Sequence, residues 1–105
     1  MIPNKELRKK LIENIYEKQM KHVGPALSCL DIIDYLYANV LKQDDIFILS
    51  KGHGAIALYT VLEKHGKKPD WLMHPELDEE KGIHATTGSL GHGLPIAIGR
   101  TFAYK

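Results

Sequence analysis

Cysteine is nearly absent from this sequence, Cys29 being the only one among 105 residues. No internal disulfide can form, and a reducing compartment fits best. Nothing in the sequence sets a base beside Cys29, so it reads as a small buried residue rather than a nucleophile. Also lacking is any apolar run near the roughly 18 residues that a membrane span requires. The opening Met-Ile-Pro-Asn-Lys-Glu passes straight into a charged helical pattern, without a signal-peptide core or an Arg- and Ser-rich transit segment. A cytoplasmic location away from membranes is the expectation. No charge of one sign dominates: 14 Lys and Arg are intermixed with 13 Asp and Glu, which leaves no electrostatic footprint for nucleic acid. Lys5, Arg8, Lys9 and Lys10 read as a solvated helix face. Repeats and low-complexity stretches are missing as well.

What is present suits one globular unit over residues 1–105, since 44% hydrophobic and 26% charged content is that of a chain with a core. Asn4 is placed to cap a helix carrying Leu7, Leu11, Ile12, Ile15 and Tyr16 on one side and ending near Gly24-Pro25. Ser28 and Asp31 form a capping-box-like pair ahead of Leu30, Ile33, Leu36, Tyr37 and Val40, which predicts a second helix to about Asn39. Ile46-Phe-Ile-Leu49 has the length and composition of a parallel strand buried on both faces. Gly52-His-Gly54 follows, and residues 55–65 read as a helix stopped by Gly66. Residues 67–82 read as a surface loop with a turn at Asp70 to Met73. A second glycine-rich loop, Thr86-Thr-Gly-Ser-Leu-Gly-His-Gly93, opens a last helix with Pro95 in its first turn, and the chain reads as ending inside it. The fold class expected is α/β, yet one strand cannot satisfy its own backbone, so further strands must come from elsewhere.

Two glycine-rich loops that each open a helix are places where backbone N–H groups can hold phosphate oxygens. Residues 88–93 have neither a Gly-Lys-Ser/Thr end nor a clear preceding strand, so phosphate binding and a tight turn both stay open. His22, His53, His65, His74, His84 and His92 are many for this length. None is paired at i, i+4 and there is no second cysteine, which argues against zinc. His65 sits at a predicted helix end beside Gly66, where a cation favours the dipole, and takes no functional role. His84 reads as a surface or core histidine.

Taken in order, His22-Val-Gly-Pro-Ala-Leu-Ser28, Asp31-Ile-Ile-Asp-Tyr-Leu-Tyr37, Phe47-Ile-Leu-Ser-Lys-Gly-His-Gly54, His74-Pro-Glu76 and Thr87-Gly-Ser-Leu-Gly-His-Gly93 resemble the transketolase family, most closely the amino-terminal subunits of split transketolases. The resemblance covers nearly the whole chain. It implies the leading part of a doubly wound parallel-sheet domain that binds thiamine diphosphate with Mg²⁺ and serves transfer of a two-carbon ketol unit between sugar phosphates. By the same resemblance His22 and His53 face the reacting end of substrate and cofactor, with His53 near the diphosphate. His74 contacts the sugar, while Gly88 and Leu90 line the aminopyrimidine and thiazolium rings. Imidazoles suit such chemistry because they donate to a developing alkoxide or shuttle its proton near neutral pH.

Departures from the family pattern are equally informative. Lys21-His22-Val23-Gly24 stands where many single-chain transketolases carry Gly-His-Pro, and Ile46 follows Asp45 where the family has arginine. The Gly-Asp-Gly segment and later asparagine that hold Mg²⁺ in the family do not occur in this chain, so no metal ligands are assigned. The glutamate that serves the aminopyrimidine is also missing. The resemblance therefore implies a component completed by a carboxy-terminal transketolase subunit or by further chain, in an oligomer. Alternatives are an inactive truncated fragment, a non-enzymatic binding module, and a 1-deoxyxylulose-phosphate synthase-like enzyme. An unfinished sheet further implies a poorly folded isolated chain.

Overall fold

The computed structural model describes residues 5–88 and 90–103. Four α-helices carry the fold: α1 (Lys5–Lys18), α2 (Val23–Tyr35), α3 (Ala55–Lys64) and α4 (Gly93–Ala103). A π-turn, Leu36–Val40, prolongs α2, and short 3₁₀ turns lie at Gly52–Gly54 and Glu79–Lys81.

The core forms where α1 and α2 close on α3. Leu7, Leu11 and Ile15 of α1 meet Ala26, Leu30 and Ile33 of α2. Helix α3 is buried from Ala55 through Leu62 without interruption, as expected for a helix that is apolar on every side. Thr60 in that stretch donates its hydroxyl to the Ile56 carbonyl at 2.8 Å. Asp34 is buried at the α2–α3 contact and paired with Lys64 at 2.8 Å. Large apolar side chains remain exposed on α1 (Ile12, Tyr16), on α2 (Ile32, Tyr35) and along α4 (Leu94, Ile98, Phe102).

Helix ends show where local chemistry decides. Beyond α3 the Gly66 N–H donates to the Glu63 carbonyl and the Lys67 N–H to the Leu62 carbonyl, with Gly66 at φ 85°. This is the Schellman arrangement, as the sequence indicates. Helix α1 closes in the same way, Met20 N–H to Ile15 O and Gln19 N–H to Tyr16 O, with Gln19 at φ 54° in the left-handed position. It therefore stops at Lys18, short of Gly24-Pro25. Asn4, the expected cap, lies outside the described residues. Helix α2 starts at Val23 rather than at Ser28, because Pro25 in the first turn needs no intrahelical N–H partner. Ser28 instead lies inside α2 and donates to the Pro25 carbonyl, while Asp31 pairs with Arg8 of α1.

No strand is present among the described residues, where the sole β pairing is an isolated antiparallel bridge between Asp78 and Ile83. Residues 46–49 are not buried on both faces as a central strand would be, and Ile46 is exposed. Leu49 is buried, and Phe47 packs edge-on to Tyr37 with ring centroids 5.6 Å apart. Ile46 and Ile48 line a cavity of about 490 Å³ on the opposite side, with Ala97 and Thr101 of α4. The parallel-sheet expectation is not met within these residues for a physical reason: a lone segment has no neighbour to accept its backbone bonds.

Residues 67–82 run over the surface but are tied to α3. Tyr59 donates its hydroxyl to the Leu72 carbonyl at 2.9 Å and stacks edge-on to Trp71, whose indole N–H reaches Glu63 at 3.1 Å. Burial pushes the Tyr59 phenol up to about 12, so it remains a donor across the neutral range. These contacts carry the chain to His74 in a fixed register.

Candidate functional site

Three sequence-distant histidines converge. His22 is the residue before α2, His53 lies in the 3₁₀ turn before α3, and His74 follows the anchored Trp71–Leu72 stretch. The His22 ring stands 5.9 Å from that of His53, edge-on, and 6.0 Å from that of His74. His22 adopts φ 64° and ψ 46°, a left-handed conformation that a side-chain-bearing residue takes at some cost. Its backbone is thus held in an uncommon state at the centre of the cluster.

Glycines bring the two loops into contact. A Cβ on Gly52 would lie 2.6 Å from the Gly88 nitrogen and 2.7 Å from the Thr87 carbonyl carbon, and one on Gly93 would lie 2.5 Å from Ser50 Cα. Only hydrogen fits at either place. Gly88, at φ 145°, faces the His74 ring, whose Cγ is 3.1 Å from where its Cβ would be. The 87–93 loop is registered by Thr87 N–H to Pro75 O at 3.1 Å, and its approach by Leu77 N–H to Thr86 Oγ1 at 2.8 Å. His22, His53, His74 and Gly88 are therefore brought together. Leu90 is 73% exposed and stands apart from the buried core. Ser89 lies outside the described residues.

Sequence reasoning assigns no role to two groups beside the cluster. Lys51 donates to Ser28 of α2, tying the Gly52–Gly54 turn to that helix. Thr87 is buried, and its Oγ1 has no hydrogen-bond partner among the described residues. A buried unpaired hydroxyl in a loop beside a histidine cluster marks where a bound group would complete the bonding. The motif begins at Thr87, but only the fold shows that its hydroxyl is buried without a partner while that of Thr86 accepts from the Leu77 N–H. Cys29 supports the site from beneath. Its thiol donates to the Pro25 carbonyl at 3.3 Å, and its sulfur lies 3.1 Å from the Cβ position of Gly54. Burial raises the Cys29 thiol above its ordinary value, with Lys51 acting the other way, so it stays a neutral packing group as the sequence indicates.

His65 closes α3 as its C-cap, 5.8 Å from the Tyr37 ring, and takes no part in the cluster. His84 belongs to a separate group with Glu79 and Arg100. Among the described residues no set of three His, Cys, Asp or Glu is arranged to hold a metal ion. None of the described helices is long and apolar enough to cross a membrane.

Comparison with known proteins gives this geometry a family context. No protein-family model matches the sequence, and no solved structure matches it. Curated relatives do. The chain is 35% identical to an apulose-4-phosphate transketolase subunit of Phocaeicola vulgatus over 93% of its length and 42% of that protein. It is 37% identical to the protein of the same name in Actinobacillus succinogenes, over 96% of this chain and 45% of that one. A 6-deoxy-6-sulfo-D-fructose transketolase subunit from a Clostridium species is 34% identical over 94% of this chain and 44% of its own. The chain spans less than half the length of these relatives. Over nearly all of its own length, the chain is homologous to transketolases and to subunits of split transketolases.

Proposed function

We propose that this chain is a transketolase-like component that supplies part of a thiamine-diphosphate site for two-carbon ketol transfer between sugar phosphates, the remainder coming from further chain or a partner subunit. The observation that carries this reading is the meeting of His22, His53 and His74, drawn from three separate motifs, with Gly88 against His74.

The residues fit such a cofactor in part. The imidazoles offer donors and acceptors, the glycine contacts give close backbone approach, and the Thr87 hydroxyl lacks a partner. The oxygen ligands that Mg²⁺ requires are not gathered among the described residues. When bound, thiamine diphosphate supplies the electron sink for breaking a carbon–carbon bond next to a carbonyl. In this reading His53 and His22 donate to an oxygen gaining negative charge, or take the proton of a hydroxyl that ionises. His74 orients the sugar by hydrogen bonding. Gly88 lets the backbone approach the His74 ring closely, and the exposed Leu90 becomes an apolar wall once neighbouring chain covers it.

The α/β sheet belongs to the same proposal. Residues 46–49 present Ile46 and Ile48 to an open cavity while Phe47 and Leu49 face the helical core, which suits a strand awaiting neighbours from another polypeptide. An inactive fragment keeps the helical core equally well, so activity decides between the two. Completing this chain with the part of the Phocaeicola vulgatus subunit it does not match, together with that subunit's partner, is expected to give ketol transfer from a ketose phosphate to an aldose phosphate. Loss of transfer when this chain is omitted supports the reading; transfer that is equal without it contradicts the reading.

A further inference from the structure

Helix α4 starts directly from the 87–93 loop, yet none of α1, α2 and α3 packs lengthwise against it. Its large apolar residues Leu94, Ile96, Ile98 and Phe102 are 37–67% exposed. Something else must fix its direction. At one end Gly93 sits on Ser50, its Cβ position 2.5 Å from Ser50 Cα. Seven residues on, about 10 Å along the axis, the Arg100 guanidinium spreads between two acceptors. Nη1 donates to the His84 carbonyl at 3.2 Å and Nη2 to Glu79 Oε1 at 2.9 Å.

We infer that Arg100 is a positioning residue for the candidate site, pinning α4 to the Glu79–His84 segment so that the 87–93 loop is held against His74. The inference rests on the reading of His22, His53 and His74 as a site. His84 lies four residues before Gly88 and Arg100 seven after Gly93, so the Arg100–His84 bond closes the base of the chain segment that carries the loop. Both anchors of α4 therefore bear on Gly88. Without the Arg100 fork, the helix pivots at Gly93, and the Thr87–Pro75 bond beside Gly88 is the first to feel it.

Glu79 is the second half of the device. It accepts from Arg100 and lies 3.8 Å from His84 Nδ1. The Arg100 hydrogen bond and charge, with His84 acting in the same sense, hold its carboxyl below the usual carboxylate range. An exposed ion pair of this kind contributes little to global stability. Its consequence is local, in where it stands, and that makes it separable from a general packing role.

Amide hydrogen exchange of the ligand-free chain tests this. The reporters are the Thr87 N–H, bonded to Pro75 O, and the core N–H of Leu62 in α3. In Arg100→Gln the Thr87 amide is expected to exchange about tenfold faster while Leu62 stays within about twofold. Arg100→Lys, which retains a cation for Glu79 but not the fork, falls between. Glu79→Gln, altered on an exposed side chain that leaves folding intact, moves Thr87 in the same direction. Unchanged Thr87 exchange in both Arg100→Gln and Glu79→Gln, or equal acceleration of Thr87 and Leu62, overturns the inference. Because no cofactor is involved, this result stands apart from any failure of the cofactor reading.

Discussion

His53→Ala is expected to lower ketol transfer by about 10²- to 10⁴-fold in an assembly containing the completed site, the range for loss of a single general acid or base. That is roughly 3–5 kcal/mol of transition-state stabilisation. His53 is the member of the cluster on the glycine-bracketed turn, 5.9 Å from His22, and the Cys29–Pro25 packing and the Lys51–Ser28 bond hold that turn from below. His65→Ala is the matched control. His65 caps α3 beside Tyr37, so its loss affects helix-end electrostatics by about 1 kcal/mol at most and leaves turnover nearly intact. Steady-state rates for both variants, saturated with cofactor and shown to be folded, check the pair. Equal activities would remove His53 from the chemistry.

Gly52→Ala is expected to be strongly destabilising. Its methyl group would enter the Thr87–Gly88 backbone at 2.6–2.7 Å, and backbone cannot yield as a side-chain tip can. Separating the two loops is expected to cost about 3 kcal/mol, at the upper end of ordinary overpacking. The His74–Gly88 contact would open with it. Gly24→Ala provides the contrast, since nothing lies within 4 Å of its Cβ position in the first turn of α2. There the added methyl is expected to be neutral or to stabilise by up to about 1 kcal/mol through helix propensity. Urea unfolding of both variants measures the difference, with Gly52→Ala reducing the transition midpoint and Gly24→Ala leaving or raising it.

Sequence and structure agree where local chemistry alone decides. Helix α3 and its Gly66 stop are legible because an apolar run followed by a glycine admits one conformation at the end. The end of α1 is not, since Gln19 gives no sign that it will take the left-handed position glycine usually fills. The start of α2 is hidden because Ser28 and Asp31 look like a capping pair, while Pro25 and Arg8 claim them. Residues 46–49 read as a strand because they form a continuous apolar run, yet they form no strand among the described residues. A sheet is a property of neighbours, however, and no composition supplies them.

The site follows the same division. Motif order marks His22, His53, His74 and Gly88, and the fold brings those four together. Leu90 is marked in the same way but stays exposed. Lys51, Thr87 and Arg100 are not legible. Each acquires meaning only through a partner distant in sequence, Ser28, the glycine contact and Glu79 respectively.

The central claim is that this chain holds one part of a cofactor site and that another polypeptide completes it. Isothermal titration of thiamine diphosphate with Mg²⁺ tests it most directly, on the chain alone and on the chain completed by the unmatched part of the Phocaeicola vulgatus protein with its partner. Weak or undetectable binding by the chain alone, and tight Mg²⁺-dependent binding by the completed assembly that falls with His53→Ala, is the predicted result. Tight Mg²⁺-dependent binding by the isolated chain, or binding by the assembly that is indifferent to His53, would contradict it.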